Sequence, residues 1–118
     1  MKQPKRLKGK ATASHARSPQ QERELAQRTG GRVTRGSGCG NEKGDVRIKG
    51  VARIEAKTTK HKSFSVTRSM LDKIEEAAVT SGELPAIIVE FITEEGKPVG
   101  EVAVLPTWVL DILTQPRT

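Results

Sequence analysis

Residues 36–57 read GSGCGNEKGDVRIKGVARIEAK, and the alternation inside this stretch decides what the rest of the chain folds around. Successive side chains on a strand point to opposite faces. On the first run Val46 and Ile48 share one face, with Asp45 and Arg47 on the other. On the second run Ala52, Ile54 and Ala56 share one face, with Val51, Arg53, Glu55 and Lys57 on the other. A two-residue loop at Lys49-Gly50 would pair Val46 with Arg53 and set the apolar sets on opposite faces. A three-residue turn containing Gly50 pairs like with like, and it carries Asp45 to the face of Glu55 and Lys57. Core burial and the grouping of these three charged residues therefore demand the same register.

Downstream, residues 58–62 (TTKHK) form a basic loop and residues 63–66 a short extended piece. Thr67 suits the N-cap of a helix over 68–81, in which Met70, Leu71, Ile74, Ala77 and Ala78 make one apolar stripe ending at Gly82. Residues 86–92 (AIIVEFI) are nearly continuously apolar, as a strand covered on both faces requires. A turn at 93–97 leads to a strand over 99–104. Pro106 then opens a short helix bearing Trp108, Val109, Ile112 and Leu113 before a frayed end at 114–118.

Upstream, the glycines of residues 36–40 make a loop that is either a plain turn or a place where backbone amides approach a phosphate. Residues 32–35 suit a first strand. Before it, Ser18 suits an N-cap, Pro19 a first helical position and Gln21 the third member of a capping box. The expected helix covers residues 19–28, with Leu25 and Ala26 as its clear core contacts and Gly30-Gly31 as its stop. A strand, a helix and a buried strand form a right-handed crossover. The expected order is αβββαβ followed by a strand and a helix: one α/β domain over residues 18–118, with a mixed central sheet flanked by helices.

The chain has 118 residues, enough for one small domain. Its aromatic residues are Phe64, Phe91 and Trp108, so aliphatic side chains carry the packing. Of the net charge of +7, residues 1–21 hold +6 in Lys2, Lys5, Arg6, Lys8, Lys10 and Arg17 with no acid, which leaves +1 for the rest. Residues 1–17 read as a basic, disordered tail, either a solubilising extension or a non-specific DNA arm. No apolar run reaches transmembrane length, and no apolar region follows the basic start as in a secretory signal. Cys39 is the sole cysteine, so neither an internal disulfide nor a cysteine zinc cluster can form. A cytoplasmic location and no membrane partner are expected.

Asp45, then Glu55-Ala56-Lys57 at the end of an alternating strand, is a pattern suited to phosphodiester hydrolysis. That reaction calls for a divalent metal to offset negative charge and activate water. Hard cations such as Mg²⁺, or alternatively Mn²⁺, take carboxylate oxygens. Asp45 and Glu55 offer these from adjacent strands, and the Ala56 carbonyl offers a third oxygen. Lys57 points the same way and can hold the attacking water or stabilise the transition state. The plain alternative is a surface ion pair on a solvated strand face. Arg35, Arg47, Lys60, Lys62 and Arg68 are candidate phosphate contacts or, equally, a solvated basic surface. His15 and His61 lack partners at metal-ligand spacing. Lys73 falls beside the apolar stripe and reads as exposed, and Trp108 reads as core or as a dimer-interface anchor.

These residues resemble the PD-(D/E)xK nuclease superfamily, with Gly44-Asp45 in place of the usual Pro-Asp. Glu22-Arg23-Glu24-Leu25, Gly30-Gly31-Arg32-Val33 and Gly36-Ser37-Gly38 look like the opening of the Holliday junction resolvases of archaea and phages. The resemblance spans about residues 20–91 and implies a restriction-endonuclease-like αβββαβ core. It implies metal ligation by Asp45, Glu55 and the helix glutamate Glu22, with Glu24 as a rival, and a catalytic Lys57. It places Ser37 in a serine loop near the scissile phosphate. The expected function is a Mg²⁺-dependent, structure-selective DNA endonuclease, most simply a homodimeric resolvase of four-way junctions. The rivals are a nuclease of the same superfamily acting on flaps, ends or mismatches, and a non-catalytic basic DNA-binding module.

Overall fold

In the computed structural model the hairpin pairs Asp45 with Glu55, Val46 with Ile54, Arg47 with Arg53 and Ile48 with Ala52. Residues 13–34 and 45–116 are described, with side chains over 17–34 and 46–116. The turn between the strands is Lys49-Gly50-Val51, closed by the Val51 amide donating to the Ile48 carbonyl at 2.8 Å. Gly50 takes φ +76°, a left-handed conformation that a side chain at this turn would disfavour. Alternation thus sets both the register and the odd turn length.

The elements run α1 (Ala13–Thr29), β1 (Arg32–Val33), β2 (Asp45–Ile48), β3 (Ala52–Thr59), α2 (Arg68–Thr80), β4 (Leu84–Ile92), β5 (Pro98–Val104) and α3 (Thr107–Leu113). Among the described residues the sheet has five strands in the order β1-β2-β3-β4-β5. Its pairs are antiparallel except β3 with β4, which lie parallel because α2 carries the chain back across the sheet. The architecture is α/β, a mixed sheet with helices on both faces.

Each face has its own core. On one, Leu25 of α1 packs with Val46, Ile54 and Ala56. On the other, Ile74 of α2 packs with Ile87 and Val89, with Phe64, Val66, Met70, Leu71, Phe91 and Val104 around them. Truncating Leu25 to alanine would cost about 2–5 kcal/mol. β4 serves both cores at once, which is why its sequence is almost unbroken apolar. α1 meets the sheet closely at its end, where a side chain on Gly31 would place Cβ 2.7 Å from the Arg47 carbonyl oxygen. Thr67 caps α2 as expected, its Oγ1 accepting from the Met70 amide at 3.2 Å. α3 leans on α2 through the Trp108 indole, which donates to Glu75 Oε2 at 2.7 Å, and buries Val109.

Two expectations change. α1 begins at Ala13, so Pro19 is inside the helix and Ser18 is not its N-cap. The added turn carries Arg17, 7% exposed, so this residue belongs to the domain and not to the tail. What holds the turn is an ion pair across the fold, invisible to apolar periodicity. β4 starts at Leu84, two residues earlier than expected, because the Leu84 amide donates to the Val51 carbonyl at 2.9 Å ahead of Pro85. Residues 63–66, expected as a short extended piece, are in neither helix nor strand, and there Phe64 and Val66 pack against the α2-side core. The expectations for residues 1–12 and for the glycine loop, with Arg35, Ser37, Cys39 and Gly44, lie outside the described residues.

Candidate active site

β3 sorts its residues by parity. Ile54, Ala56 and Thr58 face α1, and Arg53, Glu55, Lys57 and Thr59 face the α2 side. Asp45 stands directly opposite Glu55 across the antiparallel pair. Opposed residues on one face have Cβ atoms about 4.5–5.5 Å apart. Lys57 Nζ lies 2.8 Å from Glu55 Oε2, with the two side chains 35% and 12% exposed. On β4 the neighbours of Glu55 and Lys57 are Ile87 and Val89, both fully buried. The ion pair therefore sits at the rim of an apolar cluster, where charges interact more strongly than in bulk water.

The described part of β2 starts at Asp45, while β3 runs on to Thr59. Glu55 and Lys57 thus lie toward the end of β3 from which the chain leaves for α2. Asp45 and Glu55 are in register, and carboxylate oxygens are the donors that a hard divalent cation such as Mg²⁺ takes. Ala56, between Glu55 and Lys57 in the chain, buries its side chain against Leu25. Among the described residues no three His, Cys, Asp or Glu side chains gather as ligands, and the Asp45 side chain lies outside that set.

Glu22 is half-buried on α1, the helix on the opposite face from Glu55. Its rival Glu24 is taken by Arg17, whose Nη2 lies 2.6 Å from Glu24 Oε1. That hydrogen bond holds the Glu24 carboxyl below the usual carboxylate range. Arg47, expected at a phosphate, is tied inward instead: its Nε donates to Glu83 Oε2 at 2.7 Å. Lys60 lies 3.6 Å from Glu94, and Lys62 and Arg68 are exposed beside the start of α2. His61 is exposed, its amide donating to Thr59 Oγ1 at 3.1 Å.

Sequence reasoning missed the polar residues beneath the site. Arg17 donates through Nε and Nη2 to both oxygens of Glu90, at 2.7 and 2.8 Å. Those hydrogen bonds, and then those to Glu24, push the Arg17 guanidinium further up. Gln21 donates through Nε2 to the Lys57 carbonyl at 3.1 Å and accepts from Thr58 Oγ1 at 2.6 Å. Glu83, its side chain fully buried, accepts from the Gly50 amide at 2.9 Å as well as from Arg47. Burial pushes its carboxyl up, but the Gly50 amide and the Arg47 guanidinium outweigh burial and hold it below the usual range. One signal was available in the sequence: a glutamate inside the apolar run 86–92 needs a buried cationic partner.

No family model, curated protein or solved structure matches the chain. Among the described residues no helix is long and apolar enough to cross a membrane.

Proposed function

We propose that this protein is a metal-dependent DNA endonuclease built on a restriction-endonuclease-like core, with a four-way DNA junction as its substrate. The observation that carries the reading is the register that sets Asp45 opposite Glu55, with Lys57 on the same face and 2.8 Å from Glu55. Asp45, Glu55 and the Ala56 carbonyl would hold Mg²⁺ or Mn²⁺; Glu22, carried by the helix on the other face of the sheet, is left out of this ligand set. When bound, the ion supplies charge neutralisation at the scissile phosphate and a more acidic water. Lys57, released from Glu55, orients the attacking water and faces the charge that develops on the phosphoryl oxygens. Lys62 and Arg68 offer phosphate contacts beside it, with Arg35 and Ser37 of the glycine loop as further contacts.

Resolving a junction takes two symmetric cuts, and one such site per chain calls for two copies about a two-fold axis. Val99, Val102, Leu110, Ile112 and Leu113, all exposed on β5 and α3, are the surface we assign to that contact. The test is cleavage of a labelled four-way junction with Mg²⁺ beside a linear duplex. Paired cuts in the junction alone are expected. Equal cutting of linear, flapped or mismatched DNA would make the protein another nuclease of this superfamily. Binding without cleavage of any of them would make it a DNA-binding module and overturn the reading.

A further inference from the structure

Gln21 is 1% exposed, and both ends of its side-chain amide are used on two consecutive residues of β3. A buried amide must find partners somewhere, so satisfaction alone says nothing about function. Its position says more. The donor end grips the backbone of Lys57, the residue that carries the ammonium group of the proposed site on the other face of the same strand. The grip falls beyond Asp45 and Glu55, the last described pair of β2 with β3.

Gln21 also belongs to a stripe. Arg17, Gln21 and Leu25 are four residues apart, so they lie on one side of α1. Arg17 reaches Glu90 on β4, Gln21 reaches Lys57 and Thr58 on β3, and Leu25 packs with Val46 on β2. Three anchors over three neighbouring strands fix both the height and the rotation of α1. Leu25 also packs on Ile54 and Ala56 of β3, but of the two polar anchors only Gln21 holds the strand of Glu55 and Lys57, and it does so at Lys57 itself.

We infer that Gln21 is a positioning residue: it holds the Lys57 backbone so that Nζ stays on the face of Glu55 and within reach of the site, and it registers α1 against β3. Misplacing a reacting group by about 1 Å costs roughly 100-fold in rate. The catalytic half of this inference rests on the nuclease reading, whereas the structural half does not.

The test is Gln21→Met, which keeps the volume and removes both hydrogen bonds. It should lower kcat for Mg²⁺-dependent junction cleavage by about 10–100-fold, with junction Kd unchanged. Amide hydrogen exchange at residues 57–59 should quicken at least about tenfold, while the core strands keep their protection. Thr58→Val, which spares the Lys57 hydrogen bond, should lose much less kcat. Val109→Ala in α3 serves as a destabilised control and should keep kcat. Wild-type kcat in Gln21→Met, or an equal fall in Val109→Ala, would overturn the inference. If the wild-type chain cleaves nothing, the nuclease reading fails by itself. Exchange then decides the structural half: acceleration confined to 57–59 supports the clamp, and unchanged exchange refutes it. Should Gln21→Met not fold, Gln21→Met with Thr58→Val leaves no orphaned hydroxyl and is read in the same way.

Discussion

Two glutamates on neighbouring strands, Glu90 of β4 and Glu55 of β3, are held in opposite ways. Each is ion-paired, Glu90 to Arg17 at 2.7 Å and Glu55 to Lys57 at 2.8 Å. Glu90 faces α1, is 6% exposed in its side chain, and has both oxygens held by one guanidinium. Glu55 faces the other way, and among the described residues a single ammonium holds one of its oxygens. Its partner Lys57 is 35% exposed on a flexible stem, and another carboxylate, Asp45, stands opposite. A guanidinium fork that saturates a carboxylate in a buried layer fixes structure. A carboxylate held by one mobile cation at the rim of the core can exchange that cation for a metal or a phosphate. What separates the two is the saturation of the carboxylate, not the presence of an ion pair.

The sharpest way to break the comparison is to cut the saturated pair. Glu90→Ala leaves Arg17 charged in a buried layer and should cost about 3–5 kcal/mol in denaturant unfolding. A loss under about 1 kcal/mol would show that the pair is not structural. Lys57→Met should do the reverse. Stability should change by less than about 1 kcal/mol, because the pair is partly solvated, while the cleavage rate falls by roughly 100-fold or more. A folded Lys57→Met enzyme with full activity would remove Lys57 from the site.

The hairpin was legible because one alternation served two ends, core burial and charge grouping, and only one register satisfied both. The α2 stripe and the β4 run were legible for the same reason: apolar spacing is local. The extension of α1 was not legible. Its hold on the sheet is polar and its partners are far along the chain, Glu90 being 73 residues from Arg17 and Lys57 being 36 from Gln21. Arg47 misled for a related reason, since a strand arginine looks solvated until Glu83 is placed under it. Long-range polar pairing leaves little trace in a single sequence, and here that pairing supports the candidate site from behind.

A smaller effect concerns acid. Glu83 and Glu24 both sit below their ordinary range when folded, so each binds a proton less readily folded than unfolded. Their contribution is therefore present above the unfolded carboxylate value of about 4.3 and lost as pH falls through the folded value. Thermal unfolding should show the midpoint falling below about pH 4, with a shallower acid limb in Glu83→Gln. An acid limb unchanged by that substitution would contradict the assignment. Smaller still, deleting residues 1–12 removes Lys2, Lys5, Arg6, Lys8 and Lys10. Junction binding should weaken, and the log–log salt slope should fall by roughly 0.9 for each phosphate that these cations neutralise. An unchanged slope would make this segment a bystander.

The most direct measurement sets Glu55→Gln against Glu90→Gln in one assay, Mg²⁺-dependent cleavage of a labelled four-way junction below the unfolding midpoint of both variants. Glu55→Gln should fold and bind the junction like the wild-type chain, yet lose on the order of 1000-fold in rate. Glu90→Gln should be less stable and still cut. Full cleavage by folded Glu55→Gln would contradict the account, and so would a loss of cleavage in Glu90→Gln that exceeds the loss in Glu55→Gln.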